Sequence, residues 1–167
     1  GAGVPAGALP VAISADGTTV AVRASVYDPN AVRSERMYLA TAPLNGTGGS
    51  AATEIKGLTD VVVSGQRIHY LVKTATRLAV CRAPIDTPAK AKCVTVRRGD
   101  KGRDAWLTVS QGLDVVTGWD SQLWLVSGTR VKAMKATASL GSLQGTGFRD
   151  PARPLISGID GIRGSIY

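Results

Sequence analysis

Short apolar segments that end in a serine and a turn recur along the chain. They cover residues 11–17, 61–66, 107–112 and 154–161. The serines stand 50, 46 and 47 residues apart, and they are Ser14, Ser64, Ser110 and Ser157. Because propeller blades repeat at intervals of about 40 to 50 residues, the spacing predicts successive copies of one blade-sized unit.

Further strand-like segments follow each serine. Second segments cover 19–23, 67–73, 113–119 and 162–167, third segments cover 37–40, 78–81 and 123–126, and fourth segments cover 53–56, 93–97 and 131–136. Within 67–73, Ile68, Tyr70 and Val72 alternate with mostly polar residues, which indicates a strand with one buried face. Pro43 and Pro84 are expected to end two of the third strands, because proline has no amide hydrogen for the ladder.

The repeat pattern, with no helical period, predicts the fold class. We expect an all-β protein of β-propeller-type repeats, with about three and a half four-stranded blades and an incomplete ring. We expect one domain over residues 1–167, with repeats at approximately 9–57, 58–103, 104–150 and 151–167. An open or irregular β-sandwich with a coincidental repeat is the alternative.

The fourth repeat reaches only a second strand segment. A half-built blade presents unpaired backbone groups that recruit another strand. We therefore expect another chain, either a protein partner or a second copy, or the rest of a longer protein, to complete the ring. The long connections at 26–35, 44–50 and 141–150 are where we expect propeller loops to carry function.

Composition and charge indicate what class of protein this is and what kind of partner it favours. The chain has 44% hydrophobic and 19% charged residues, which is typical of a folded domain. No apolar run reaches the roughly 18 residues of a transmembrane helix, and residues 1–10 do not resemble a secretion signal. The net charge of +8 favours polyanionic partners.

A cluster of positive charge forms a candidate polyanion patch. Its members are Lys90, Lys92, Arg97, Arg98, Lys101 and Arg103. The patch has no interleaved aromatic residues, which argues against specific nucleic-acid binding, and an anionic glycan or an envelope surface is the candidate ligand. A solvated loop and strand edge is the alternative.

Cys81 and Cys93 are the two cysteines of the chain. Each alternates with the apolar residues of its own segment, so both point to one side if the two segments pair as strands. This predicts a disulfide, with two free thiols as the alternative. A disulfide places the chain in an oxidising, extracytoplasmic compartment: secreted, periplasmic or cell-surface.

Candidates for catalysis are sparse. His69, the single histidine, is expected on the polar face of its strand. Candidate acids for a glycosidase pair are Asp60, Asp114, Asp120 and Asp160. The sequence has no Gly-x-Ser-x-Gly nucleophile elbow, no phosphate-binding loop, no dinucleotide-binding fingerprint and no metal-ligand motif. We therefore expect no enzyme activity, no cofactor and no metal. A hydrolase is the alternative.

Three tryptophans of the third repeat form a candidate glycan platform. These are Trp106, Trp119 and Trp124. Trp124 alternates away from Leu123 and Leu125, so we expect it on a more open face. Core or blade-to-blade packing is the alternative for all three.

Residues 9–23 resemble a repeat of the TolB-like and WD40-like propellers of bacterial envelope proteins. The likeness is carried by Ser14, Asp16 and Gly17, followed by Val20 and Val22. A fainter likeness is to the propeller domain of actinobacterial LpqB-type lipoproteins. These resemblances imply a scaffold for contacts with other molecules, often outside the cytoplasm. Asp16 is then a turn residue.

The sequence therefore predicts a non-enzymatic binding module of an extracytoplasmic or surface assembly. A glycan-binding or glycan-cleaving propeller is one alternative. A structural component of a phage or appendage particle is the other.

Overall fold

A computed structural model describes Pro5 and residues 7–27, 36–46, 52–99, 105–110, 112–118, 122–135, 142–145 and 156–159. In this part of the chain almost all regular structure is β-strand. The first two groups of strands are β1 Leu9–Ala15, β2 Thr19–Val26, β3 Arg36–Pro43, β4 Thr53–Glu54, β5 Leu58–Ser64, β6 Arg67–Lys73, β7 Arg77–Pro84 and β8 Lys92–Arg98. The others are β9 Ala105–Ser110, β10 Leu113–Gly118, β11 Gln122–Ser127, β12 Arg130–Lys135, β13 Ser142–Gly145 and β14 Ile156–Ile159.

The strands form three four-stranded antiparallel sheets and one two-stranded ribbon. Sheet 1 contains β1 to β4, sheet 2 contains β5 to β8, and sheet 3 contains β9 to β12, each with neighbours in chain order. The ribbon pairs β13 with β14 in antiparallel orientation. Consecutive strands joined by short turns build each four-stranded sheet, which is the construction of a propeller blade. The predicted all-β class and four-stranded repeats are confirmed.

The turn between β1 and β2 is built around Asp16. Its Oδ1 accepts hydrogen bonds from the amides of Thr18 and Thr19, both at 3.0 Å, and from the Thr18 hydroxyl at 2.8 Å. These bonds, first of all the one from the Thr18 amide, lower the pKa of Asp16. Gly17 has a φ of 93°, a conformation that favours glycine. Asp16 is therefore a turn residue, as the sequence predicted.

Strand limits follow the sequence pattern closely. The β6 strand spans the predicted residues 67–73, and Pro43 and Pro84 are the last residues of β3 and β7. The expected single buried face of β6 is wrong, because His69 and Leu71 are buried together with Ile68 and Tyr70. As an inner strand of sheet 2, β6 is covered on both faces, as in sheets packed between other layers.

The fourth repeat differs from the prediction. Residues 141–150 were expected to form a connection, but they contain β13, which pairs with β14 and packs against β9 and β10. A ladder of main-chain hydrogen bonds forms there despite the low strand propensity of glycine. The predicted strand segment 162–167 lies outside the described residues.

The chain falls into two compact units, residues 1–73 with 81–93, and residues 74–80 with 94–167. The core of the first unit joins sheet 1 to strands of sheet 2. Its buried members are Ala21, Leu39, Leu58, Val61, Val63, Ile68, Tyr70, Cys81 and Ala83. In the second unit, buried Val115 and Leu123 pack with partly buried Leu125 and Met134 of sheet 3.

Candidate functional site

The disulfide between Cys81 and Cys93 is confirmed. It joins β7 to β8, whose connection contains the 3-10 turn Pro88–Lys90. Cys81 is buried and Cys93 is exposed. Cys81 alternates with Leu78 and Val80 along β7, as expected, and its face of the strand is buried as well, because β7 is buried at four consecutive residues, 78–81. A disulfide closing a loop of this size stabilises a domain by about 2–4 kcal/mol.

Tyr70 fastens the same hairpin to β6. Its hydroxyl donates a hydrogen bond to the carbonyl oxygen of Pro88 at 3.1 Å, and only 4% of the residue is exposed. Burial raises the pKa of Tyr70, because the ionised phenolate loses its hydration. The tyrosine therefore holds the turn in place as a neutral donor.

The six residues of the predicted polyanion patch have different surroundings. Lys90, Lys92 and Arg98 are exposed. Arg97 is partly buried, and its Nη1 donates to Oε1 of Gln122 at 3.3 Å. Lys101 and Arg103 lie outside the described residues. Polyanion binding by this patch stays a prediction.

The predicted glycan platform is not assembled as an open surface among the described residues. Trp124 is 6% exposed, opposite Val116 and Ala133 on the neighbouring strands. The expectation of an open face for Trp124 is therefore wrong, because its own face of β11 is covered at this position, where Val116 and Val126 are also buried. Trp106 is partly buried on β9, and Trp119 lies outside the described residues.

The candidate catalytic residues are built into strands. His69, expected on a polar face, is 6% exposed, and Asp114 of β10 is completely buried. Asp60 is partly buried, and its Oδ1 accepts a hydrogen bond from the amide of Val61 at 2.8 Å. Asp120 and Asp160 lie outside the described residues. Among the described side chains, no three His, Cys, Asp or Glu residues group as metal ligands.

Three polar contacts that sequence reasoning missed join sheet 1 to sheet 2. The hydroxyl of Ser14 accepts a hydrogen bond from the amide of Val63 at 2.9 Å. Arg23 donates from Nη1 to the carbonyl oxygen of Thr59. The hydroxyl of Thr41 donates to the carbonyl oxygen of Ile85 at 3.1 Å. The serine repeat signalled that position 14 matters, but local pattern does not identify a partner 49 residues away.

Sheet 3 carries a groove across β10, β11 and β12. Its volume is about 710 Å³, and its lining includes Leu113, Leu125, Ser127, Arg130, Lys132 and Met134. The leucines and the methionine are partly buried, whereas the serine and the two cations are exposed. An apolar floor with a cationic rim can accept an apolar surface that carries negative charge at its edge.

No helix in the described part of the chain has the length and apolar character needed to cross a membrane.

Comparison with known proteins identifies the fold. No protein-family model and no curated protein matches the chain. Among solved structures, the chain is similar to the β-propeller domain of the Trilobed protease from Pyrococcus furiosus, which is described as having an open velcro topology. The identity is 12%, the TM-score is 0.56, and the match covers 86% of this chain and 46% of that chain. The chain thus spans less than half the length of this neighbour, and the likeness shows a β-propeller fold. The TolB-like, WD40-like and LpqB-type resemblances stay predictions.

Proposed function

We propose that this chain is a non-enzymatic propeller module that binds a partner in an extracytoplasmic or surface assembly. In that assembly, another chain or the rest of a longer protein completes its set of blades. The observation that carries the proposal is the unequal covering of equivalent sheets. Sheet 1 is packed against sheet 2, whereas sheet 3 has an exposed groove on a partly apolar face.

The surroundings of the polar residues support binding over catalysis. The chain's single histidine is buried in β6, Asp114 is buried in β10, and Asp16 is held in a turn. A general acid or base must reach its substrate within hydrogen-bond distance. These residues serve the fold in their present positions, which favours a scaffold role.

The compartment is inferred from the disulfide. Cys81 and Cys93 are both engaged in one bond. Stable disulfides form in oxidising compartments, such as the periplasm or the extracellular space, and are rare in the reducing cytosol. This supports a secreted, periplasmic or cell-surface location.

The test is the native mass of the protein isolated from its source, with thiols blocked during lysis. We expect a species heavier than one 167-residue chain, with the disulfide intact. A second measurement after reductant treatment separates a disulfide-linked partner from one held by noncovalent contacts. A stable monomer of this single chain, with no partner at physiological concentration, would contradict the proposal.

A further inference from the structure

The strand positions of sheets 1 and 3 can be aligned at their repeated serines, Ser14 and Ser110. Ser14 lies opposite Ala21 in sheet 1, and Ser110 lies opposite Leu113 in sheet 3. Two residues further along the second strand, Arg23 lies opposite Leu39, and Val115 lies opposite Leu125. Side chains two residues apart in a strand share a face. We call the face that contains Leu39 and Thr41 in sheet 1, and Leu125 and Ser127 in sheet 3, face A.

Face A of sheet 1 is occupied. Ala21 and Leu39 are completely buried in the core shared with strands of sheet 2. Thr41 is 4% exposed, and its hydroxyl donates to Ile85 of the connection after β7. This face is therefore the surface on which the following blade packs.

Face A of sheet 3 contains buried Val115 and Leu123, but it is more open than face A of sheet 1 at three equivalent positions. Leu113 and Leu125 are only partly buried, and Ser127 is exposed. All but one of the residues that line the groove lie on this face. The same register that buries sheet 1 beneath the next sheet thus leaves an accessible surface on sheet 3.

The charge of the two faces also differs. Thr53 lies opposite Leu39 in sheet 1, whereas Lys132 lies opposite Leu125 in sheet 3. Arg130, two residues before Lys132, adds a second exposed cation to the groove. A surface that covers these positions is favoured when it carries carboxylates, because opposite charges across an interface select the partner and its orientation.

We propose that face A of sheet 3 docks a β-sheet of an acidic partner protein. Apolar side chains of the partner cover Leu113, Leu125 and Met134, and its carboxylates meet Arg130 and Lys132. A second copy of this chain is disfavoured as the occupant, because each copy has a net charge of +8. The inference rests on the proposed function and specifies the surface and the chemistry of the partner.

A defined probe tests the surface. The probe is a fluorescent peptide of about eight residues, the length of a strand, in which valine alternates with glutamate, and its counterpart alternates valine with lysine. We expect the full, disulfide-bonded chain to bind the acidic peptide more tightly. Arg130→Glu combined with Lys132→Glu should weaken that binding by about tenfold or more and reverse the preference.

The matched control is Lys56→Glu combined with Arg67→Glu, one lysine and one arginine outside both the groove and the polyanion patch. It changes two exposed residues and the net charge by the same amount, and we expect the affinity for the acidic peptide to change less than threefold. Equal weakening by both double variants would overturn the proposal, since net charge alone would then explain binding. Failure of the acidic peptide to slow thiol labelling of Ser127→Cys would also overturn it.

The complex isolated from the source distinguishes the two levels of the proposal. Loss of the partner in the Arg130→Glu and Lys132→Glu variant, with retention in the control, supports docking on face A. Retention of the partner in both variants overturns the docking surface and leaves the proposed function in place. Recovery of the unmodified chain alone overturns the proposed function itself.

Discussion

Face A of sheet 1 and face A of sheet 3 share strand order and register, yet several side chains that are buried on the first have accessible equivalents on the second. On sheet 1, Leu39 and Ala21 are completely buried by the following sheet. On sheet 3, Leu125 and Leu113 are partly buried, and cationic side chains stand beside them. The difference shows that four complete strands do not by themselves bury every position on a face of the sheet, because the burial of Leu39 depends on packing with strands of the following sheet.

The largest effect is expected from disturbing the sheet that covers sheet 1. Gly57 precedes β5, has a φ of 78°, and its carbonyl accepts the Lys73 amide at 2.7 Å. A methyl group at this position would overlap the carbonyl oxygen of Lys73. We expect Gly57→Ala to lower the free energy of unfolding by about 3–4 kcal/mol, measured by urea titration.

Gly128 provides the matched control for this substitution. It lies in the turn between β11 and β12, has a φ of 56°, and leaves open space for a methyl group. Gly128→Ala should cost about 1 kcal/mol, from backbone conformation alone. Equal losses for the two variants would show that close packing around Gly57 is unimportant.

The second prediction compares equivalent leucines. Leu39→Ala should destabilise the protein by about 3 kcal/mol, because it leaves a cavity beneath the covering sheet. Leu125→Ala should cost about 1 kcal/mol, because this side chain retains solvent exposure. The midpoint of urea unfolding measures both, and a larger loss for Leu125→Ala would contradict the comparison.

The third prediction concerns the serine that bridges the sheets. Ser14→Ala removes the acceptor of the Val63 amide and should cost about 1–2 kcal/mol. Ser64, the next serine of the repeat, is exposed, and Ser64→Ala should change stability by less than about 0.5 kcal/mol. Thermal unfolding of the two variants in one buffer separates a bridging role from a general preference for serine. Similar losses would argue against the bridge.

The smallest effect is expected at the exposed turn. The pKa of Asp16 is lower in the folded chain than its unfolded value of about 3.9, so its carboxylate stabilises the fold above that pH. The contribution is lost as the pH falls through the lower, folded pKa. Asp16→Ala should cost about 0.5–1 kcal/mol at pH 7, a range that allows for solvent screening.

Asp16→Asn is the control for this titration. The amide oxygen can still accept the bonds from the Thr18 and Thr19 amides, so most of the stability at pH 7 should remain. Its stability between about pH 5 and 2 should fall less steeply than that of the unmodified chain. An unchanged acid profile would show that Asp16 does not contribute to the pH dependence.

Most of the local fold could be predicted from the sequence. Turn residues and proline positions identify strand ends, as the exact limits of β6 and the ends of β3 and β7 demonstrate. The burial of His69 and Trp124 could not be predicted in this way, because alternation describes one strand and not the layers on either side of it. The disulfide was predictable, since two paired strands bring Cys81 and Cys93 together.

The candidate site was less accessible to sequence reasoning. Lys132 and Leu125 lie seven residues apart in the sequence, and only strand register places them side by side. The equivalence of Leu39 and Leu125 likewise depends on pairing between strands. Periodicity identifies the strands, but the cover over a face is set by long-range packing.

Thiol reactivity at equivalent positions tests the difference between the two faces most directly. Thr41→Cys and Ser127→Cys each introduce one thiol, since the two native cysteines are joined to each other. We expect the Ser127→Cys thiol to react at nearly the rate of a free thiol, and the Thr41→Cys thiol to react at least about 100-fold more slowly, because its labelling requires local opening. Equal labelling rates in the folded chain would contradict the account.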